Sequence, residues 1–372
     1  MIVRKLFWLA TEISLAALWV CFGSGAALAL ALAMLLIPLV SIPINLYLRR
    51  KIRLKLTAQP NLRKEQEAQI MLKLTNPTVL PVNLSCCLAV TNLLNGMLLR
   101  EKVHVTGNQV TRSVKSRYCG RLRITVEKAK LYDCFGLVGI PLSCPEKCHI
   151  TVQPDGFETR ISLADELGGI AESEQYSQYR SGSDMTETFQ LREYVPGDSP
   201  RQIHWKLTNK FDKLIVRDPG LPISKNVLVF WERTGESGDP NLIDAQAEVI
   251  ISLCRSLVDM GIQFTVGWND TDRNLCITHR IREMDEFVGI IPRLLRATGA
   301  KEGMSGAGLL IQTRSEELCA HMVYIAETPQ GDVMEMQRYG HVTMLLCGDT
   351  ALDGAVFFNE TDYIKQLTEI EI

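Results

Sequence analysis

The chain has 372 residues, 46% of them hydrophobic, and its 40 basic and 42 acidic side chains leave a formal net charge of -2. That length accommodates more than one domain, and the near-neutral balance excludes a general polyanion binder, so no nucleic-acid partner is implied. Eleven cysteines are scattered without the regular spacing of a disulfide framework, which suits a reducing compartment where buried thiols act as small hydrophobes.

Leu6 to Phe22 is apolar except for Thr11, Glu12 and Ser14, and after Gly23-Ser24-Gly25 a second run, Ala26 to Leu48, is apolar almost throughout. Each approaches the roughly 20 residues that cross a bilayer core, although the first is short. Arg4 and Lys5 precede the pair, while Arg49, Arg50, Lys51, Arg53 and Lys55 follow it. Basic flanks belong on the cytoplasmic side. Residues 1-50 are therefore expected to form a transmembrane helical hairpin, making a multi-pass cell-membrane protein with cytoplasmic soluble domains and the lipid bilayer as a partner. A cleaved signal peptide competes with this reading, but the apolar stretch far exceeds an h-region of about 7–15 residues. Glu12 costs roughly 2–3 kcal/mol if central and unpaired in lipid, so it is expected near the interface or facing a partner.

Period-two alternation follows. Ile70, Leu72 and Leu74 share one face, as do Val82, Leu84, Cys86, Leu88 and Val90, and then Leu122, Ile124 and Val126. Turn signals at Asn76-Pro77, Asn95-Gly96 and Gly107-Asn108 separate these runs, so residues 51-155 are expected to form an all-β, sandwich-like domain. Cys144, Cys148 and His149 lack the second ligand pair of a zinc site and read as a loop and strand edge.

Residues 156-224 contain the densest chemistry, Tyr194-Val-Pro-Gly-Asp-Ser-Pro-Arg-Gln-Ile-His-Trp-Lys206. Pro196-Gly197 is a turn dipeptide. Asp198 stands where a helix N-cap belongs, before Ser199 and Pro200, and the helix it starts would carry Arg201, His204, Trp205 and Lys206 within two turns. On one reading Arg192, Arg201, His204 and Lys206 form a cationic surface for a partner's carboxylates or a phosphate, oriented by Asp198 and Asp184. On the other, which we prefer, Trp205 anchors the segment in the core with its N–H on a backbone carbonyl, and the charged residues make internal ion pairs joining the two domains. A free imidazole changes charge near neutrality, which makes any histidine a candidate acid or base, but no nucleophile can be named for His204: the chain has no Gly-x-Ser-x-Gly, no His-Glu-x-x-His and no Walker phosphate loop.

Beyond residue 225 strand and helix patterns alternate. Val227 to Trp231, Ile262 to Trp268, Leu275 to Ile281, Met322 to Ala326 and Val342 to Cys347 read as strands. Ile250, Leu253, Cys254, Leu257 and Val258 recur at helical spacing, as do Met284, Phe287, Val288, Ile291, Leu294 and Leu295. Residues 225-372 are thus expected to be an α/β domain with a mostly parallel sheet covered on both faces. Gly299 to Gly308, glycine-rich and without a preceding strand, reads as a flexible loop.

A family resemblance rests on Gly182-Ser183-Asp184, on Phe189-Gln190-Leu191-Arg192-Glu193-Tyr194-Val195-Pro196-Gly197-Asp198, on Arg201, on Ile203-His204-Trp205-Lys206 and on Leu214-Ile215-Val216-Arg217. This ordered run resembles the signature of the bacterial domain-of-unknown-function family 58. Tyr118-Cys119-Gly120-Arg121 and Asp133-Cys134-Phe135-Gly136-Leu137 are similar to that family's β segment, with Cys134 in place of its usual proline. The resemblance implies a membrane hairpin, a β-rich segment, the signature and a C-terminal domain similar to von Willebrand factor type A. It also implies a MoxR-type AAA+ ATPase as partner, and with it a non-enzymatic scaffold or adaptor in envelope-associated complex assembly. Type A domains hold magnesium through Asp-x-Ser-x-Ser after their first strand. Here the stretch is Glu232-Arg233-Thr234-Gly235-Glu236, which leaves Glu232 and Thr234 as candidate ligands of a degenerate site or as plain loop residues. No cofactor is expected, with magnesium the one candidate. The alternatives are an enzyme acting on an envelope precursor through the His204 cluster and a metal-dependent adhesion module.

Overall fold

The computed structural model describes residues 2–371 except 79, 81, 134, 163–175, 223–226, 234–237, 271–274, 300–304, 315–318, 320 and 349–351. The chain divides into two compact units, Met1–Gln153 and Pro154–Ile372.

The first unit opens with helices α1 (Ile2–Phe22) and α2 (Gly25–Lys51), both long and apolar enough to cross a membrane. Gly23, at φ +63°, makes the reversal, and the Ser24 hydroxyl caps α2 by accepting from the Ala27 N–H. Strands β1 (Arg53–Ala58), β2 (Asn61–Arg63), β3 (Glu67–Thr75), β4 (Asn83–Asn92), β5 (Leu98–Thr106), β6 (Gln109–Lys115), β7 (Gly120–Tyr132), β8 (Gly139–Pro141) and β9 (Lys147–Gln153) follow. They form two sheets, β1-β3-β6 and β2-β9-β7-β4-β5, with β8 on the flank of β7. Strand β3 alternates strictly, burying Ala68, Ile70, Leu72 and Leu74. These join Leu84, Leu88, Val103, Ile124 and Ile150 of the other sheet in one core, so the alternation read in the sequence builds a β-sandwich.

The second unit begins with β10 (Arg160–Ser162) and the ribbon strand β11 (Tyr176–Glu193), then α3 (Trp205–Phe211) and β12 (Ile215–Pro222). Next come β13 (Val227–Trp231), α4 (Pro240–Asp259), β14 (Phe264–Asp270), β15 (Leu275–Ile281), α5 (Met284–Leu294) and α6 (Gly306–Thr313). The chain ends with β16 (His321–Ala326), α7 (Val333–Met336), β17 (His341–Cys347), β18 (Val356–Phe358), α8 (Tyr363–Gln366) and β19 (Glu369–Glu371). The main sheet runs β15-β14-β13-β16-β17-β18, parallel throughout except for β15. Every residue of β13 and β16 is buried, as sheets covered on both faces require. Counted from β13, this is the doubly wound order 3-2-1-4-5-6, whose switch point lies between β13 and β16. A short parallel pair, β10 with β19, ties the two ends of this unit together.

One expectation is corrected here. Gly306 to Gly308 do not continue a flexible loop; they open α6, capped by Ser305, whose hydroxyl accepts from the Gly308 N–H at 2.9 Å. Glycine is needed for close approach: a Cβ at Gly306 would fall 2.1 Å from Asn269 Nδ2. The same glycines that let the helix seat against β14 dilute the apolar periodicity that would have revealed it.

Candidate functional site

Two places in the second unit concentrate polar chemistry. The first is the ribbon of β11 and β12, which pair antiparallel with Glu193 opposite Ile215, Arg192 opposite Val216 and Gln190 opposite Asp218. Residues 194–214 cap this ribbon. Arg192 lies at its centre: Nη1 and Nη2 donate to the two Asp198 oxygens at 2.7 and 2.8 Å, and Nε donates to Asp218 at 3.0 Å. Gln190 adds a bond to Asp218 at 3.0 Å, and the Val195 N–H donates to Asp198 at 2.8 Å. The guanidinium holds the Asp198 carboxyl down at about 2, helped by the Val195 N–H, while both carboxylates push the Arg192 guanidinium further up.

Asp198 is therefore not an N-cap. Residues Pro200–Gln202 form a single 3-10 turn after Ser199, Ile203 is extended and ends it, and His204 caps α3 separately, its Nδ1 accepting from the Leu207 N–H at 3.3 Å. The bidentate pair takes the carboxylate because two charge-assisted bonds outweigh one cap. Arg201, His204, Trp205 and Lys206 consequently do not share one two-turn helix. Trp205 is also not a core anchor: it is 61% exposed, and α3 buries none of its seven residues. The ion pairs of Arg192 stay within the ribbon and its capping loop.

Tyr194 is half-buried and its N–H donates to the Leu214 carbonyl at 2.9 Å; Gly197 takes the positive φ of +114° that the turn demands. Arg201 and Lys206 are exposed and make no ion pair among the described residues. Leu191, Val195, Phe211 and Leu214 are exposed apolar neighbours of Trp205 in sequence. Asp184 pairs through its backbone with Gly220, and its side chain lies outside the described residues. Asp218 was missed from the sequence, although its alternation with Val216 on a strand facing Arg192 was the available signal.

The second place is the carboxyl edge of the main sheet at its switch point. Glu232, directly after β13, is fully buried. One carboxylate oxygen accepts from the Gly306 N–H at 2.5 Å; the other accepts from the Ala307 N–H at 3.2 Å and from the Tyr324 hydroxyl at 2.8 Å. A side chain of the protein thus fills the anion position at the start of α6. Burial pushes the Glu232 carboxyl up against these three donors. Arg233, also buried, donates to the Ala297 carbonyl at 2.7 Å, and its burial lowers it to about 10 while Glu327 opposes the shift. Beyond them the Ser305 hydroxyl donates to Asp332.

This geometry uses Glu232 as an internal acceptor, with both oxygens taken, rather than as an open metal ligand. Thr234 lies outside the described residues, and among the described residues no three His, Cys, Asp or Glu side chains converge. Nothing in the sequence signals this arrangement, because Glu232 and Gly306 are 74 residues apart.

No family model matches the chain, and no curated protein matches it. Among solved structures it is similar to a cohesin module from a Clostridium perfringens family 33 glycoside hydrolase, at 7% identity and a TM-score of 0.21, covering 27% of this chain and 96% of that one. It is likewise similar to a CARDB domain from Pyrococcus furiosus in complex with di-metal ions, at 14% identity and a TM-score of 0.20, covering 27% of this chain and 87% of that one. Likeness at this level carries no argument about activity.

Proposed function

We propose that the chain is a membrane-anchored, non-enzymatic scaffold that presents its α/β unit and signature ribbon to a protein partner, with a MoxR-type AAA+ ATPase as that partner. The observation that carries this reading is the exposed Trp205, beside Arg201 and Lys206, which make no ion pair among the described residues, on a segment clamped by Arg192. Trp205 and Lys206 open the seven-residue helix and Arg201 lies in the 3-10 turn just before it, so the indole and these cations share one short segment. Tryptophan and arginine dominate the energy of protein interfaces. The two apolar helices serve as the bilayer anchor in this reading, and the basic residues flanking them support a cytoplasmic side for the soluble units. The 3-2-1-4-5-6 order with an antiparallel edge supports a type A-like fold for the second unit, and the signature's resemblance supports the choice of ATPase and a role in envelope-associated assembly.

Co-isolation tests the proposal. The full chain, purified from its own membranes in mild detergent, is expected to bring down an AAA+ ATPase. Trp205→Ala and Arg201→Ala are each expected to lower its recovery by about tenfold, the equivalent of roughly 1.4 kcal/mol. No ATPase with the unaltered chain would sink the partner assignment; equal recovery with both variants would sink the docking surface.

A further inference from the structure

We infer that the turn formed by Asp133 and residues 135–138, between β7 and β8, is a third membrane-embedded element, seated beside α1 and α2 with its outward apolar side chains against lipid acyl chains. The inference rests on the reading of the two helices as a membrane hairpin.

Depth is the first argument. Ser41 on α2 donates to the Ile37 carbonyl and also lies 3.5 Å from Asp133 Oδ2, while Asn45 Nδ2 donates to the Val138 carbonyl at 3.4 Å. Both α2 residues are buried. At 1.5 Å per residue Ser41 lies about 10 Å along the helix from Leu48. Arg49, Arg50 and Lys51 occupy the last turn of α2 and mark the level of the lipid headgroups. The turn therefore reaches past that level into the apolar part of the hairpin.

The polarity of the turn is the second argument. The polar groups of Asp133 and Val138 are satisfied inside the turn: the Asp133 carboxylate accepts from the Val138 N–H at 2.9 Å, the Asp133 N–H donates to the Val138 carbonyl at 3.3 Å, and the Gly136 N–H donates to the Asp133 carbonyl at 3.0 Å. Asn83 Nδ2 donates to that same carbonyl at 3.4 Å. Outward points Phe135, 57% exposed, with Leu80 of the neighbouring loop 42% exposed. Water would favour the reverse arrangement, because it solvates turn backbone freely and penalises an exposed phenyl ring. Hydrocarbon demands this one, since backbone polar groups there must find partners within the protein.

Cavities flank the turn on both sides. One of about 360 Å³ lies against α2, lined by Ala33, Leu36, Ile44, Leu80 and Phe135 over a floor of Ser41, Asn45 and Asp133. Another, of about 670 Å³, lies on the α1 side, lined by Phe7, Trp8, Leu15, Met34, Phe135 and Leu137. Their walls are those of a lipid acyl-chain site, continuous with the exposed apolar surface of the helices.

Photocrosslinking of the full chain in its own membrane tests this. The photoreactive amino acid p-benzoylphenylalanine is placed singly at Leu36, Leu80, Phe135 or Met97, and lipid adducts are read by mass spectrometry after irradiation. Leu36 is an exposed residue of α2, and Met97 is an exposed residue past the far end of β4, about 30 Å along that strand from the turn. Adducts are expected at Leu36, Leu80 and Phe135 and none at Met97. Adducts at Leu36 with none at Phe135 or Leu80 would overturn the inference while leaving the hairpin intact. No adduct at Leu36 would overturn the hairpin reading, and the inference with it.

Discussion

The Arg192 guanidinium grips the Asp198 carboxylate through both terminal nitrogens while its Nε reaches across the ribbon to Asp218. One side chain therefore ties the capping loop to both strands. Planar, two-point contact of this kind needs arginine, because a lysine ammonium is a single point charge. A double-mutant cycle on Arg192→Ala and Asp198→Ala, read from thermal melting, is expected to show favourable coupling. It should exceed the coupling between Lys213 and Glu193, an ion pair in which both side chains are about two-thirds exposed. Equal coupling in the two cycles would mean that the clamp is only a surface contact.

Acid should release the clamp late. Because Asp198 is held at about 2 in the folded chain and ionises near 3.9 when unfolded, its contribution is complete above pH 4. It is lost as pH falls from there through about 2. Melting temperatures of the unaltered chain and Asp198→Asn are expected to differ at neutral pH and to converge across that window. Convergence already complete at pH 5 would show that Arg192 does not depress Asp198.

Trp205→Ala separates docking from folding. An indole that is 61% exposed on a helix with no buried residue contributes little to the fold, so the variant should change stability by less than about 0.5 kcal/mol. Recovery of the partner should nevertheless fall. A large drop in melting temperature would return Trp205 to a packing role.

The central strands of the α/β unit were legible because burial on both faces writes itself as unbroken apolar runs, as in Val227–Trp231, which has the same bounds in sequence and structure; the edge strand Leu275–Ile281 also keeps its bounds although it is only partly buried. The sandwich was legible for the complementary reason, since one buried face produces alternation, as in β3. Trp205 misled because indole area predicts burial, yet a seven-residue helix over a two-stranded ribbon has no second layer to bury it. Asp198 misled because a local cap and a pair six residues back compete for one carboxylate, and residue order alone does not show which charge the folded ribbon brings near. The Glu232 contacts were invisible because they join residues brought together only by the sheet's crossovers.

Glu232 gives the last prediction. In Glu232→Ala the Tyr324 hydroxyl and the Gly306 and Ala307 N–H groups lose their common acceptor in a buried place. Each buried, unsatisfied donor costs about 1–3 kcal/mol. Partial relaxation still leaves a loss of at least about 2 kcal/mol, or roughly 4–8 °C in melting temperature for a unit of this size. Glu232→Gln keeps the shape but turns an amide nitrogen toward a donor, so an intermediate loss is expected. The pH dependence has a definite sign: burial raises the folded carboxyl above its unfolded value, so stability of the unaltered chain falls as pH rises from the ordinary carboxylate range through the raised value. The glutamine variant lacks that slope. Magnesium should leave all three melting temperatures unchanged, because both Glu232 oxygens already accept hydrogen bonds. A magnesium-dependent rise present in the unaltered chain and absent in Glu232→Ala would show instead that an ion displaces those donors, and Glu232 would then be a ligand rather than the internal cap of α6.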